Sequence, residues 1–171
     1  MGIVCVFTGN GKGKTSAAFG MALRFLGYGK RVVVVQFLKG RKTGELLLRK
    51  NLPSLEIVQF GTEDFVDLKN PSKEDVERAK EAVFYAKRLL TRAYRPDLLI
   101  LDEVNVALSA GMVSERDVME LIEKLPEKTH LVLTGRGATK RIIEKADLVT
   151  EMRDVKHPFA KGKRPEKGLE Y

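Results

Sequence analysis

The chain has 171 residues, 43% hydrophobic and 32% charged, a balance that excludes an intrinsically disordered chain and suits a folded domain with its own core. Its single cysteine, Cys5, excludes a disulfide framework, and no run of about twenty apolar residues is present to span a bilayer. The formal charge of +8 suits polyphosphate, nucleic acid or an anionic surface and does not separate them. We therefore expect one domain over residues 1–171, cytoplasmic and without a membrane partner.

Residues 3–7 (IVCVF) read as a buried strand, and a glycine-rich stretch leads from it into a helix over KTSAAFGMALRFLGYG that stops near Gly27 and Gly29. RVVVVQFLKG reads as a second buried strand, TGELLLRKN as a short helix and LEIVQFG as a third strand. Pro71 and Ser72 introduce the longest helix, about Ser72 to Tyr94, whose interleaved acids and bases mark a solvated face and argue against nucleic acid as a partner. DLLILDEVN is a fourth strand, apolar enough before its acids to be covered on both faces, as in a parallel sheet. SERDVMELIEKL follows as a helix capped by Ser114, with Asp117 at its third position. THLVLTGRG, a short helix ATKRIIEKA and a strand LVTEM complete the alternation, and residues 153–171 form a basic tail. This order specifies an α/β fold with a mainly parallel sheet of about five to six strands flanked by helices.

The chemistry concentrates in TGNGKGKTS, residues 8–16, between the first strand and the first helix. Gly9, Asn10, Gly11, Lys12 and Gly13 form a loop whose amides can wrap a phosphate. Lys14 reaches phosphate oxygens, Thr15 can ligate Mg²⁺, and Ser16 opens the helix. Counting back five positions from Gly13 gives Thr8 where the common GxxxxGK[ST] pattern has glycine, so this is a variant P-loop and the fold P-loop NTPase-type (RecA-like). LLILDEVN delivers Asp102 and Glu103 to the end of a strand, and alternation points them to opposite faces, so that one of the two approaches the metal or its waters. LVLTGRG presents Arg136 in a glycine turn, either to a phosphate or to solvent. Lys39 and Arg24 carry the same two readings. No GxSxG, HExxH or CxxC motif is present, so the chain need not supply a nucleophile. His130 opens a buried strand and reads as structural, whereas His157 lies in the tail.

TGNGKGKTSAAFG, VQFLKG, LLILDEVN, LVLTGRGA, ADLVTEM and the ending VKHPFAKGKRPEKGLEY together resemble the ATP:corrinoid adenosyltransferases of the CobA/CobO/BtuR type, over nearly the whole chain. The resemblance implies that a reduced corrinoid such as cob(I)alamin or cobinamide attacks the 5′ carbon of ATP, displacing triphosphate, with the cobalt as nucleophile. It implies a phosphate loop from Gly9 to Thr15, a magnesium site at Thr15 and Glu103, Arg136 and Arg24 near the nucleotide, and Asp102 as a supporting or alternative metal partner. It also implies an electron-donating reductase, a homodimer and a tail that covers the site. The family can carry a phenylalanine and, two residues on, a tryptophan against the corrinoid. Here GTEDFVDLKN offers Phe65 and then Asp67, and the chain has no tryptophan. The competing readings are a P-loop ATPase or kinase acting at the γ phosphate, and an ATP-dependent nucleic-acid-binding module.

Overall fold

The computed structural model describes residues 2–156 and 166–168. Six strands, β1 (Val4–Thr8), β2 (Val32–Phe37), β3 (Leu55–Phe60), β4 (Leu98–Asp102), β5 (His130–Thr134) and β6 (Leu148–Glu151), form one sheet in the order β3-β2-β4-β5-β1-β6. Every pairing is parallel. The fold is α/β, as the alternation of elements specified, and the glycine-rich loop between β1 and the first helix gives it the P-loop NTPase type. Parallel neighbours need crossovers, and the helices that supply them cover the apolar strands on both faces.

One face is covered by α1 (Lys14–Gly27), whose Ala18 and Ala22 pack on Phe7, Val32, Val34, Ile100 and Val132. Alanines at that spacing let the helix lie close to the sheet, directly behind the phosphate loop. The other face carries α3 (Lys73–Thr91), α4 (Val104–Ser109), α5 (Glu115–Glu123) and α6 (Lys140–Lys145), packed on Val6, Val33, Val35, Leu99, Leu101 and Leu133. A short α2 (Gly44–Leu48), continued by a 3₁₀ turn over Arg49–Asn51, links β2 to β3.

Most expected elements are found, with two differences. The longest helix ends at Thr91 rather than near Tyr94, because Arg92 is already extended (ψ 155°) to turn the chain toward β4. The fourth strand stops at Asp102, and residues expected to continue it form α4, so that Val104 and Ala107 reach the core of the α3 face. His130 is structural as expected. Its Nδ1 accepts from the Ile3 amide at 3.2 Å and its ring meets Phe25 edge-on, at the end of the sheet away from the phosphate loop. His157, Phe159 and the last three residues, Leu169 to Tyr171, lie outside the described residues.

Candidate functional site

Because all strands run the same way, the loops after β1, β2, β4 and β5 leave from one edge, where ligands of open α/β sheets bind. The loop after β1 turns through Gly9 (φ 92°) and closes against residues that follow β6. The Gly11 amide donates to the Met152 carbonyl at 2.7 Å, and the Met152 amide to the Thr8 carbonyl at 2.8 Å. A Cβ on Gly9 would stand 2.4 Å from the Met152 carbonyl oxygen, so both its conformation and its surroundings require glycine.

Inside this loop the buried Lys14 ammonium donates to the Gly9 and Gly11 carbonyls at 2.8 and 2.6 Å. Burial lowers its pKa, Glu103 opposes that shift, and Arg136 adds to it. Lys14, Thr15 and Ser16 form the first turn of α1, so the helix N-terminus points its amides and partial positive charge at the same spot. Asn10, Lys12 and Ser16 are exposed around the loop.

Asp102 is the hub beneath it and is fully buried. Its Oδ1 accepts from the Thr15 hydroxyl at 2.8 Å and the Thr134 hydroxyl at 2.7 Å. Its Oδ2 accepts from the Lys39 ammonium at 2.7 Å and the Gln36 amide at 3.2 Å. Burial works to raise the Asp102 pKa, but the Lys39 charge and these hydrogen bonds outweigh it and hold the carboxylate ionised. Burial likewise disfavours the Lys39 ammonium, and Asp102 more than compensates. Lys39 therefore follows neither of its two readings: it is the part-buried ion-pair partner of Asp102, neither a solvated loop lysine nor aimed at a phosphate.

Glu103 departs from the strand-alternation expectation. It stands in the left-handed region (φ 64°), its amide donates to the Thr134 hydroxyl at 2.9 Å, and its carboxylate is part-buried between the fields of Lys14, Lys39 and Arg136. Burial raises its pKa first and the Asp102 charge second, with those three cations opposing. Leu38, at the matching end of β2, is also left-handed (φ 60°) and returns Lys39 toward Asp102. Two non-glycine residues in this region at the ends of adjacent strands are costly, and the site is where the cost is met.

Arg136 is exposed in the turn after β5, close enough to Lys14 and Glu103 to shift both. The next residue but one, Ala138, donates its amide to the Thr8 hydroxyl at 3.3 Å, which ties this turn to the phosphate loop. Arg24 is not brought to the loop: it is exposed, ten residues and about 15 Å of helix beyond Lys14. Phe65 lies in the loop after β3, 84% exposed, with the Arg41 guanidinium 4.0 Å above its ring.

Sequence reasoning missed Gln36, Thr134 and Asn105. Gln36 ends a run of valines and passes as one more strand residue, although a lone amide in that run was a usable signal. Asn105 is fully buried, donates weakly to the Gly135 carbonyl at 3.5 Å, and its Oδ1 has no hydrogen-bond partner. Among the described residues no three His, Cys, Asp or Glu side chains form a metal cage. The Thr15 hydroxyl and the Glu103 carboxylate are hard oxygen donors, with the buried Asp102 carboxylate behind Thr15, and this arrangement fits Mg²⁺ that draws its other ligands from phosphate and water.

A family model described as "ATP:corrinoid adenosyltransferase BtuR/CobO/CobP" matches residues 1–171. The chain is 42% identical over 173 residues to a "Corrinoid adenosyltransferase" of Pseudomonas aeruginosa, covering 99% of this chain and 84% of the relative. It is 38% identical to the protein of the same description from Escherichia coli, covering 99% and 86%. A solved KaiC-like protein of Pyrococcus horikoshii superposes with a TM-score of 0.53 at 17% identity, over 88% of this chain and 72% of that one, a likeness of fold.

Proposed function

The chain belongs to the ATP:corrinoid adenosyltransferase family, and from that premise we propose which of its residues carry the reaction. The enzyme transfers the 5′-deoxyadenosyl group of ATP to the cobalt of a reduced corrinoid in cobalamin biosynthesis. A cobalt–carbon bond forms while the bond from C5′ to the phosphate oxygen breaks, and triphosphate leaves with that electron pair. The corrinoid supplies the nucleophile, so the chain's work is to orient C5′, neutralise the leaving group and shelter the reduced metal.

The observation that carries the assignment is the Lys14 ammonium folded onto the Gly9 and Gly11 carbonyls, a charge already seated where a phosphate belongs. The loop from Gly9 to Thr15 cradles the triphosphate, Lys14 and Arg136 neutralise it, and Asn10, Lys12 and Ser16 line the loop. Thr15 and Glu103 hold Mg²⁺, which adds charge neutralisation at the triphosphate. Asp102 aims the Thr15 hydroxyl, since four donors already occupy its two oxygens. Arg24 serves a part of the nucleotide that extends away from the loop. Phe65 faces the corrinoid, with Asp67 where relatives can carry tryptophan.

A tail over the site, within a single domain, belongs to the same reading; its residues 157–165 and 169–171 lie outside the described ones. In support, its first residue, Arg153, lies against Gly11. An electron-donating reductase, a homodimer and a cytoplasmic location complete the reading. No described helix is long and apolar enough to cross a membrane.

The test is an anaerobic assay with ATP, Mg²⁺ and chemically reduced cob(I)alamin, following the adenosylcobalamin spectrum and released triphosphate in wild type, Lys14→Ala and Glu103→Ala. Both variants are expected to lose about 100-fold or more in kcat/KM. Full activity in either one removes that residue from the site, and release of orthophosphate without a cobalt–carbon product overturns the reading as a whole.

A further inference from the structure

Gln36 and Gln59 pair across β2 and β3, and Gln36 and Asp102 pair across β2 and β4, so the three lie side by side in register. Thr134 on β5 joins through its bond to Asp102. By strand parity all four point to the α1 face, one position beyond the apolar rows of Ile57, Val34, Ile100 and Val132. A polar row therefore crosses four adjacent strands just before their loops begin.

The row has a direction. The ionised Asp102 only accepts, so Gln36 must turn its amide nitrogen toward it, and the second N–H of that nitrogen goes to Glu45 Oε1 at 3.0 Å. The Gln36 carbonyl then faces Gln59, whose nitrogen donates to it at 3.0 Å. The remaining N–H of Gln59 reaches the Arg41 main-chain carbonyl at 3.1 Å. Each amide proton of the pair is used: reversing Gln36 would set donor against donor at Gln59 and acceptor against acceptor at Asp102, and reversing Gln59 would set acceptor against acceptor at Gln36 and at the Arg41 carbonyl.

The row thus ends on the loop after β2. The same loop is held at Lys39 by Asp102 itself. It also travels with the loop after β3: a Cβ on Gly61 would stand 2.3 Å from the Lys39 nitrogen, and one on Gly40 would stand 2.5 Å from the Gly61 carbonyl oxygen. Out of these two loops rise Arg41 and Phe65, a guanidinium over an exposed ring. The guanidinium covers one face of the ring, and the other face together with the guanidinium N–H donors suits a macrocycle edged with amide carbonyls.

We propose that Gln36 and Gln59 are positioning residues for the second substrate: they carry the placement of the Asp102 carboxylate across the sheet to the Arg41 loop, and so set the Arg41–Phe65 pair against which the corrinoid docks. The proposal rests on the family reaction and on Phe65 facing the corrinoid. It assigns to this chain a link between the nucleotide half and the corrinoid half of the site.

The test is steady-state kinetics of wild type, Gln59→Met, Arg41→Met and the double variant with ATP and cob(I)alamin, alongside thermal melting and ATP binding by calorimetry. Gln59→Met keeps the length of the side chain and removes its hydrogen bonds. It is expected to raise the KM for cob(I)alamin about 2- to 10-fold, the range for one or two neutral hydrogen bonds, while the affinity for ATP stays within about two-fold. Arg41→Met is expected to do the same, and the double variant to be no worse than the worse single one, because both act through one surface. Multiplying effects, or an equal loss of ATP affinity in Gln59→Met, would reduce the row to general packing and overturn the proposal. So would an unchanged corrinoid KM in Arg41→Met, a surface change that remains informative even if Gln59→Met fails to fold. Wild-type product in the same assay separates failure of this link from failure of the adenosyl-transfer reading.

Discussion

Asp102 gathers one charged and three neutral donors on a carboxylate with no solvent contact, and this uneven support predicts how its partners respond to substitution. Replacing Lys39 by methionine keeps most of the packing and leaves a buried anion without its counter-charge, which should cost about 3–5 kcal/mol. Asp102→Asn leaves behind a lysine side chain that is 23% exposed and can turn toward water, so its cost should be smaller, about 1–3 kcal/mol. Urea denaturation of both variants checks the order: Lys39→Met should show the lower midpoint with an unchanged slope. Equal midpoints would mean that Asp102 is not held by its charge partner. Residues of this kind were unevenly legible in the sequence. Gly9 to Thr15 could be read because phosphate chemistry dictates residue types at fixed spacing. Gln36 offered only a lone amide in a run of valines, because its importance comes from its neighbours on β3 and β4, which are distant in the chain.

At the scale of elements, α3 and α5 are defined by their starts and by one lysine between them. Ser72 caps α3 reciprocally with Asp75, its hydroxyl accepting from the Asp75 amide at 3.1 Å and the carboxylate accepting from the Ser72 amide at 3.2 Å. Ser72→Ala should therefore cost about 1 kcal/mol, read as a lower thermal midpoint, whereas no change would show the cap to be replaced by water. Lys87 on α3 reaches Asp117 and Glu120 on α5 at 2.7 and 2.6 Å. Hydrogen bonds from Lys124 and then Lys87 lower the Glu120 pKa from 4.5 to about 2, and Lys87 and then Ser114 lower that of Asp117. A carboxylate whose pKa is lower in the folded than in the unfolded chain stabilises the fold above its ordinary pKa and ceases to do so once it is protonated in both states. The contribution should thus be complete above about pH 4.5 and lost as the pH falls toward 2. Lys87→Met should flatten the fall in melting temperature over that interval, and an identical slope would show the link to be too exposed to matter. The caps of both helices were legible as Ser72 and Ser114. The helix α4 was not, since six residues are too few to display a period and VNVAL continues the apolar strand before it.

The whole molecule was legible as alternating strands and helices, but not in its strand order, because nothing in a strand's own residues says which neighbour it takes. That order places β1 between β5 and β6, so the phosphate loop is gripped from both sides, by Ala138 on one and Met152 on the other. A ligand seated there binds the folded chain and not the unfolded one, and it must stabilise the entire sheet in proportion to its occupancy. At about 100 times its dissociation constant, MgATP should add about 2.7 kcal/mol, which for a chain of this size is a rise in melting temperature of about 5–11 °C. Since the grip is on phosphate, inorganic tripolyphosphate with Mg²⁺ should reproduce a good part of the rise, and adenosine little of it. Lys14→Ala should respond to neither phosphate ligand, its own midpoint without ligand serving as reference. A full shift from adenosine alone, or an undiminished MgATP shift in Lys14→Ala, would move the principal contacts from the loop to the nucleoside and displace Lys14 from the centre of the site.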